Sequence, residues 1–149
     1  MTGQAAAALE YAKELIARRE HSVFELRRKL HQRGHASVAG AVIDSLTRAG
    51  LLDDERFARV WVAARTGRKA EGRSRLVAEL IKRGVRDSVA EAVVDEELPV
   101  AVERELLRSS AAALRAGGYS RDAIARRLLT RGFPAAAVRR TVAMDDGWQ

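Results

Sequence analysis

A pattern of about 50 residues that occurs three times constrains the fold of this chain more than any other feature. Each copy places two apolar residues four positions apart and then an arginine–glycine pair. The copies are FELRRKLHQRG from Phe24, SRLVAELIKRG from Ser74 and DAIARRLLTRG from Asp122, and they end at Gly34, Gly84 and Gly132. Because these glycines are 50 and 48 residues apart, we expect tandem structural repeats.

Each copy of the pattern predicts a helix and the position at which that helix ends. Apolar residues four positions apart favour one face of an α-helix. The arginine faces the negative end of the helix, and the glycine adopts the left-handed conformation that follows it. Apolar residues at helical intervals also precede and follow each copy, which predicts three helices per repeat. The predicted fold is all-α, with three tandem three-helix repeats (1–51, 52–98 and 99–149) in an elongated, curved array.

Composition narrows the class of protein further. Alanine, leucine, valine and arginine are abundant, which favours helices over strands. The chain has no cysteine, so it has no disulfide and no thiolate metal site. The N-terminal segment lacks the features of a signal peptide, and no apolar run approaches the roughly 18 residues that span a membrane. We expect a cytoplasmic protein that does not enter a membrane.

No pattern of residues points to catalysis. His31 and His35 have a spacing that can bind a metal on a helix, but Gly34 between them is predicted to end that helix. No nucleophile–base pair at local spacing and no phosphate-binding loop is present. We therefore expect no enzyme activity, no metal and no cofactor.

The stretch LLDDERFARVWVAAR, residues 51–65, carries acids that allow two interpretations. Asp53 and Asp54 could bind a cation or act in acid–base chemistry, or one of them could cap a helix. Apolar residues follow at helical intervals, so capping is the favoured interpretation, with Trp61 in the core of the second repeat. Upstream, Ser22 and Glu25 have the spacing of a capping box.

Basic residues carry the main functional signal. The net charge is +7, and arginines and lysines gather in clusters along the first two repeats. By the repeat offset, the pair Arg18–Arg19 corresponds to Arg68–Lys69. Such clusters would suit a long polyanion or an acidic filament. The alternative is a solvated surface whose cations complement the C-terminal ends of helices, which explains Arg33 and Arg83.

Three stretches in order resemble the RecX family, the regulatory proteins of the bacterial RecA recombinase. They are ARREHSVFELRRKLHQRG (17–34), LLDDERFARVWVAAR (51–65) and IARRLLTRGF (124–133). The resemblance covers nearly the whole chain, and the first two motifs are fairly specific. The third repeat departs from the pattern, since its first helix lacks an aromatic anchor such as Tyr11 or Trp61.

The resemblance implies a non-enzymatic modulator that binds in the groove of the RecA–DNA filament. Family members limit filament growth and thereby reduce ATP hydrolysis, strand exchange and stimulation of LexA cleavage, in DNA repair, recombination and the SOS response. Some also contact DNA. By this analogy we expect a monomer whose filament or DNA contacts are made by eight basic residues: Arg18, Arg19, Arg27, Arg28, Arg68, Lys69, Arg73 and Arg75.

Two other functions stay open at the level of sequence. Three-helix repeats with a basic central helix are also similar to helix-turn-helix modules, which would make this a direct nucleic-acid-binding protein. The third possibility is a helical-repeat scaffold for another acidic protein.

Overall fold

A computed structural model describes residues 2–66 and 68–144. These residues form nine α-helices, one 3-10 helix and no strand, which confirms the all-α prediction. The helices are α1 (Gly3–Arg18), α2 (Val23–Gln32), the 3-10 helix (Ala36–Val38), α3 (Ala39–Arg48), α4 (Asp54–Thr66), α5 (Arg73–Lys82), α6 (Asp87–Glu97), α7 (Val100–Ala116), α8 (Arg121–Thr130) and α9 (Ala135–Ala143). None of the described helices is long and apolar enough to cross a membrane.

The chain packs as two compact units that do not coincide with the three sequence repeats. Unit 1 contains residues 1–61 and 80–90, and unit 2 contains residues 62–79 and 91–149. The boundaries pass through α4, α5 and α6, so the second repeat contributes to both units. The repeat boundaries at 51 and 98 stay a prediction from the sequence.

The matched apolar residues of the sequence pattern are all buried. In unit 1, helices α1 to α3 enclose a core of Ala8, Ala12, Leu15, Leu26, Leu30, Ala39, Val42, Ile43, Leu46 and Leu52. In unit 2, helices α7 to α9 enclose Leu107, Ala111, Leu114, Ile124, Leu128, Phe133, Val138 and Val142. In the second repeat, Leu76 and Leu80 are likewise completely buried. The apolar spacing therefore identified the buried face of each second helix.

Each second helix ends as the arginine–glycine pair predicts. Gly34, Gly84 and Gly132 have φ angles of +87°, +89° and +91°, in the left-handed region. After the first of them, the N–H of His35 donates to the carbonyl of Leu30 at 2.8 Å, which satisfies a carbonyl at the helix end. The glycine interpretation is confirmed at all three positions.

The start of α2 is held by the predicted capping box. The Ser22 hydroxyl accepts from the N–H of Glu25 at 3.0 Å, and the Glu25 carboxylate accepts from the N–H of Ser22 at 3.2 Å. Two helical N–H groups that lack an intrahelical partner are thereby satisfied.

The two aspartates of the LLDD stretch have different partners. Asp53 caps α4, because its Oδ1 accepts from the N–H groups of Glu55 at 2.9 Å and Arg56 at 3.1 Å. Asp54 is the first residue of α4, and its Oδ1 accepts from the N–H of Val23 at 2.8 Å. Asp54 therefore caps α2, a helix of the preceding repeat.

The same contact recurs in unit 2. The Glu103 carboxylate in α7 accepts from the N–H of Arg73, the first residue of α5, at 2.6 Å. Glu103 follows Asp54 by 49 residues, and Arg73 follows Val23 by 50. In each compact unit, a carboxylate of one repeat thus neutralises the positive helix end of the repeat before it.

A second recurring contact joins the residue before a repeat's second helix to the arginine–glycine pair of the next repeat. In unit 1 the Ser22 hydroxyl donates to the Arg83 carbonyl at 2.6 Å. In unit 2 the Gly72 N–H donates to the Arg131 carbonyl at 2.8 Å, and the Ser74 N–H donates to the Gly132 carbonyl at 3.1 Å. We call this contact the repeat interface.

Backbones approach closely at the repeat interface. A Cβ atom at Gly84 would overlap the side chain of Phe24, and one at Gly132 would overlap Arg75. A Cβ atom at Gly72 would overlap the backbone of Gly132 and Phe133. Glycine is therefore required on both sides of the contact in unit 2.

We predict that Gly72→Ala lowers the free energy of unfolding by about 2–4 kcal/mol, because the added methyl group meets backbone atoms that have no room to move. Urea denaturation followed by circular dichroism measures the change. Gly40→Ala is the matched control. Gly40 lies in α3 with open space around it, so its replacement raises the free energy of unfolding by up to about 1 kcal/mol. Equal effects of the two substitutions would contradict the close approach.

Candidate partner-binding surface

The exposed face of α2 carries three basic residues in succession. Arg27, Arg28 and Lys29 are exposed, and none of them forms an ion pair with a residue in the described ranges. They point outward because Leu26 and Leu30, on the opposite face, are completely buried in the core of unit 1. Adjacent cations that form no ion pair, held on a packed helix, favour an anionic partner.

Arg18 and Arg19 lie at the end of α1 and extend the basic surface of unit 1. Both are exposed. The Arg19 guanidinium donates to the Glu20 carbonyl at 2.9 Å and lies 3.3 Å from the Glu25 carboxylate. Such an exposed ion pair contributes only about 0–1 kcal/mol, so Arg19 can exchange this carboxylate for one on a partner.

The turn that presents Arg18 and Arg19 is fixed by a buried histidine. His21 is only 3 % exposed, and its Nδ1 lies 2.9 Å from the Arg19 carbonyl. Burial lowers the pKa of His21 below its usual value, although the contact with the Arg19 carbonyl acts in the opposite direction. A neutral imidazole therefore supports the turn. His21 lies within the stretch ARREHSVFELRRKLHQRG, but its residue type and spacing did not predict this supporting role.

In unit 2, Arg68 and Lys69 lie in the connection between α4 and α5. Both are exposed, and neither forms an ion pair with a described residue. Their backbone N–H groups donate to the Arg65 carbonyl at 3.1 and 3.0 Å, which closes a turn at the end of α4.

Arg73 and Arg75 differ from the other six predicted contact residues, because they are both half-buried and paired with acidic residues of unit 2, whereas Arg19, the one paired residue of the six, is exposed. The Arg73 guanidinium pairs with Asp95. The Arg75 guanidinium lies 3.3 Å from the Glu71 carboxylate and donates to the Thr130 carbonyl at 3.4 Å. Both arginines are half-buried. The structure thus divides the eight predicted residues into six exposed cations and two that stabilise unit 2.

Glu71 is the buried centre of this second group. It is 3 % exposed, and its carboxylate lies 2.9 Å from the guanidinium of Arg65 in addition to its pair with Arg75. A buried carboxylate needs such partners, since an unpaired charge at this depth would be strongly destabilising. The main role of Arg65 and Arg75 is therefore to stabilise the folded chain, because they neutralise the Glu71 carboxylate.

Arg33 and Arg83 stack on aromatic rings. The Arg33 guanidinium lies 4.6 Å from the centre of the Tyr11 ring, and that of Arg83 lies 4.8 Å from the centre of the Trp61 ring. Trp61 is half-buried, so its predicted position in the core is wrong. The arginine covers the ring instead, as a cation–π contact. The identical spacing of 22 residues in both repeats was a signal that the sequence interpretation missed.

Binding of anions is the chemistry that these side chains offer. Guanidinium groups donate paired hydrogen bonds to phosphate and carboxylate, and an exposed lysine adds a compact positive charge. Among residues 2–66 and 68–144, no three histidine, cysteine, aspartate or glutamate side chains form a group able to hold a metal ion.

Family models match the first two repeats. The model described as "RecX, first three-helix domain" matches residues 8–46, and the model described as "RecX, second three-helix domain" matches residues 53–94. These ranges contain most of α1 to α3 and most of α4 to α6.

Similar proteins match over most of the chain. "Regulatory protein RecX" of Halorhodospira halophila is 37% identical over 139 residues, which cover 91% of this chain and 86% of the relative. The protein of the same name in Chromohalobacter salexigens is 36% identical over 155 residues and covers 100% of this chain and 98% of the relative. The crystal structure of RecX from Lactobacillus salivarius has the same fold, with a TM-score of 0.85 and 19% identity, over 96% of this chain and 97% of that one.

The buried His21 predicts a pH dependence of stability. Its pKa in the folded protein is lower than the value of about 6.5 in an unfolded chain. The unfolded chain therefore binds a proton first, and stability present above about pH 6.5 is lost as the pH falls. The loss reaches at most about 1.4 kcal/mol per pH unit for one such group.

Urea denaturation at several pH values from 7.5 to 5.5 measures this effect. We expect His21→Asn to have a flatter pH dependence than the unsubstituted protein. His31→Asn is the control, since His31 is exposed and should leave the dependence unchanged. Parallel curves for the unsubstituted protein and His21→Asn would contradict the assignment.

Proposed function

This chain belongs to the RecX family, a family of regulatory proteins, and we propose that it is a negative modulator of RecA. In this proposal it binds the RecA–single-stranded DNA filament and limits filament assembly. It thereby reduces the ATPase, strand-exchange and coprotease activities of RecA. It acts by binding, without catalysis of its own.

The exposed cations of α2 are the observation that supports the proposal best. Arg27, Arg28 and Lys29 form no ion pair with a described residue, although the chain has 20 acidic residues. A nucleoprotein filament presents phosphates and carboxylates, so these cations gain partners on binding that they lack in the free protein. Because α2 is held by a packed core and a capping box, its backbone loses little conformational entropy when they bind.

The proposed contact residues lie in both compact units. Arg18 and Arg19 accompany the α2 cations in unit 1, and Arg68 with Lys69 provide a second exposed pair in unit 2. Arg73 and Arg75 support the second pair indirectly, since their carboxylate partners fix the start of α5. Several exposed cations of modest individual affinity suit an extended partner, to which they bind at the same time.

We predict that the protein inhibits the ATPase of RecA on single-stranded DNA in a titration up to equimolar amounts. The substitutions Arg27→Glu and Arg28→Glu together should raise the concentration for half-inhibition at least about 10-fold, because they replace attraction by repulsion at the contact. The matched control carries Arg139→Glu and Arg140→Glu, an adjacent exposed pair on α9 with the same change in charge. It should inhibit nearly as well as the unsubstituted protein.

Two different results would count against these statements. Absence of inhibition by the unsubstituted protein would refute the proposed function. Equal inhibition by both double variants would leave RecA as the partner but remove α2 from the contact.

Direct binding to nucleic acid is the second candidate, and the same uncompensated cations favour it. It predicts that the protein binds duplex DNA without RecA, with an affinity that falls steeply as salt is added because phosphate contacts release counterions. Fluorescence anisotropy with a labelled duplex at increasing salt measures this. No binding at low salt would eliminate the second candidate and leave the first untouched.

A further inference from the structure

The repeat interface has two halves, and each half occurs three times in the chain. Among the described residues, only two contacts between a leading half and a trailing half are formed. The leading half is the residue pair before a second helix, and the trailing half is the arginine–glycine pair that ends one. Leading halves lie at 21–22, 71–72 and 119–120, and trailing halves lie at 33–34, 83–84 and 131–132. The first leading half meets the second trailing half, and the second leading half meets the third trailing half.

The first trailing half is open. Space beside Gly84 is filled by Phe24 of the preceding repeat, and space beside Gly132 is filled by Arg75. Beside Gly34, which has the same left-handed conformation, a Cβ atom would meet no heavy atom within 4 Å. The surface that receives a neighbouring repeat at Gly84 and Gly132 is thus uncovered at Gly34.

The third leading half is open as well. Ser22 is completely buried, and its hydroxyl accepts from a helical N–H while it donates to the Arg83 carbonyl. Ser120 caps α8 in the same way, accepting from the Ala123 N–H at 3.2 Å. Ser120 is exposed, however, and its hydroxyl donates to no residue that the structure describes.

The neighbours of these two serines show the same difference. His21, before Ser22, is 3 % exposed, whereas Tyr119, before Ser120, is 38 % exposed. The Arg127 guanidinium lies 4.2 Å from the centre of the Tyr119 ring, but Arg127 belongs to the same repeat, and no described residue of another repeat is seen to cover the third leading half.

We propose that two copies of this chain associate head to tail through these open halves. The Ser120 hydroxyl of one copy donates to the Arg33 carbonyl of the next, and Gly34 of that copy receives the start of α8. This contact is separate from the proposed binding of RecA and does not depend on it.

The repeats themselves indicate that a second copy of this chain binds at the open halves. One chain carries both open halves, and the corresponding residues of the other repeats already bind each other in each compact unit. Gln4 lies 50 residues before Asp54, so it occupies the corresponding position in the first repeat. In unit 1, Asp54 caps α2, the second helix of the repeat before its own. The Gln4 Nε2 donates to the Ser37 hydroxyl at 3.3 Å, which leaves the Gln4 Oε1 to accept a backbone N–H of the docked α8.

The geometry of this contact determines the kind of assembly. A head-to-tail contact joins different surfaces on the two partners, so each added copy presents a new open half and the assembly has no fixed size. A net charge of +7 on every copy opposes association, and salt screens this repulsion. We therefore expect a weak association that salt strengthens, with the monomer expected from the sequence as its dilute form.

Analytical ultracentrifugation of the full chain from about 10 μM to about 1 mM, at low and high salt, tests the proposal. The weight-average mass of the unsubstituted protein should rise with concentration without reaching a plateau. Gly34→Asn should weaken association at least about 10-fold, because asparagine tolerates the left-handed conformation but fills the space that the second copy needs. The matched control is Gly50→Asn. Gly50 ends α3 with a φ of +74° in open space outside the interface, so this variant should associate normally.

A second variant tests the other half and the direction of the contact. Ser120→Asp keeps the helix cap, but it removes the hydroxyl donor and places a negative charge against the Arg33 carbonyl. It should also associate at least about 10-fold more weakly than the unsubstituted protein. An equimolar mixture of Gly34→Asn and Ser120→Asp should form dimers and nothing larger, since each variant retains one working half.

Three results would overturn the proposal. The first is a constant monomer mass for the unsubstituted protein across the whole range. The second is equal association of Gly34→Asn and Gly50→Asn, with circular dichroism spectra that show both are folded. The third is a monomer whose inhibition of RecA is lost in Gly34→Asn but kept in Gly50→Asn, in which case the open half receives the filament and not a second copy.

Discussion

The backbone N–H groups at the starts of α2 and α5 have no acceptor within their own helices, and each start receives a carboxylate from the following repeat. Asp54 supplies it to Val23 in unit 1, and Glu103 supplies it to Arg73 in unit 2. A charged acceptor at a partly buried helix start is among the stronger hydrogen-bond arrangements available. These contacts fix where the second helix lies in the first two repeats, and α2 carries three exposed cations in succession.

Close approach at the repeat interface makes the same arrangement specific. The motif glycines end their helices, but Gly84 and Gly132 also leave room for the preceding repeat, which a Cβ atom would exclude. Gly34 ends its helix with the same conformation and has no such neighbour. The arginine–glycine pair thus ends a helix in every repeat, and at Gly84 and Gly132 it also receives the preceding repeat. Only the contacts between repeats distinguish these two roles. Because neighbouring repeats pack closely in this way, the residues of the second repeat are divided between the two compact units.

The cations of this protein divide into those that contact other groups of the chain and those that we propose bind a partner. Arg73 and Arg75 are neutralised by Asp95 and Glu71, whereas the α2 cations form no ion pair with a described residue. Arg33 and Arg83 have a third use, as partners of aromatic rings. The α2 cations are exposed on a helix that packs against the core of unit 1, and this exposure supports the proposal that they bind a partner.

The sequence by itself determined the features that depend on local chemistry. Helical spacing identified Leu26 and Leu30 as core residues, glycine marked the helix ends, and the Ser22–Glu25 spacing identified a cap. These follow from the conformations of a few neighbouring residues, so a short window contains the necessary information.

Only the tertiary structure decided which residues met across the repeats. It brought the Asp54 carboxylate of α4 to the start of α2 and left Asp53 to cap α4, and it brought the Trp61 ring beneath Arg83. It also distinguished Arg73 and Arg75, which form ion pairs, from Arg27 and Arg28, which form none with a described residue although they look alike in sequence. The physical reason is that contacts such as Arg83 on Trp61 and Val23 with Asp54 join residues 22 and 31 positions apart, and their approach is set by the packing of whole helices.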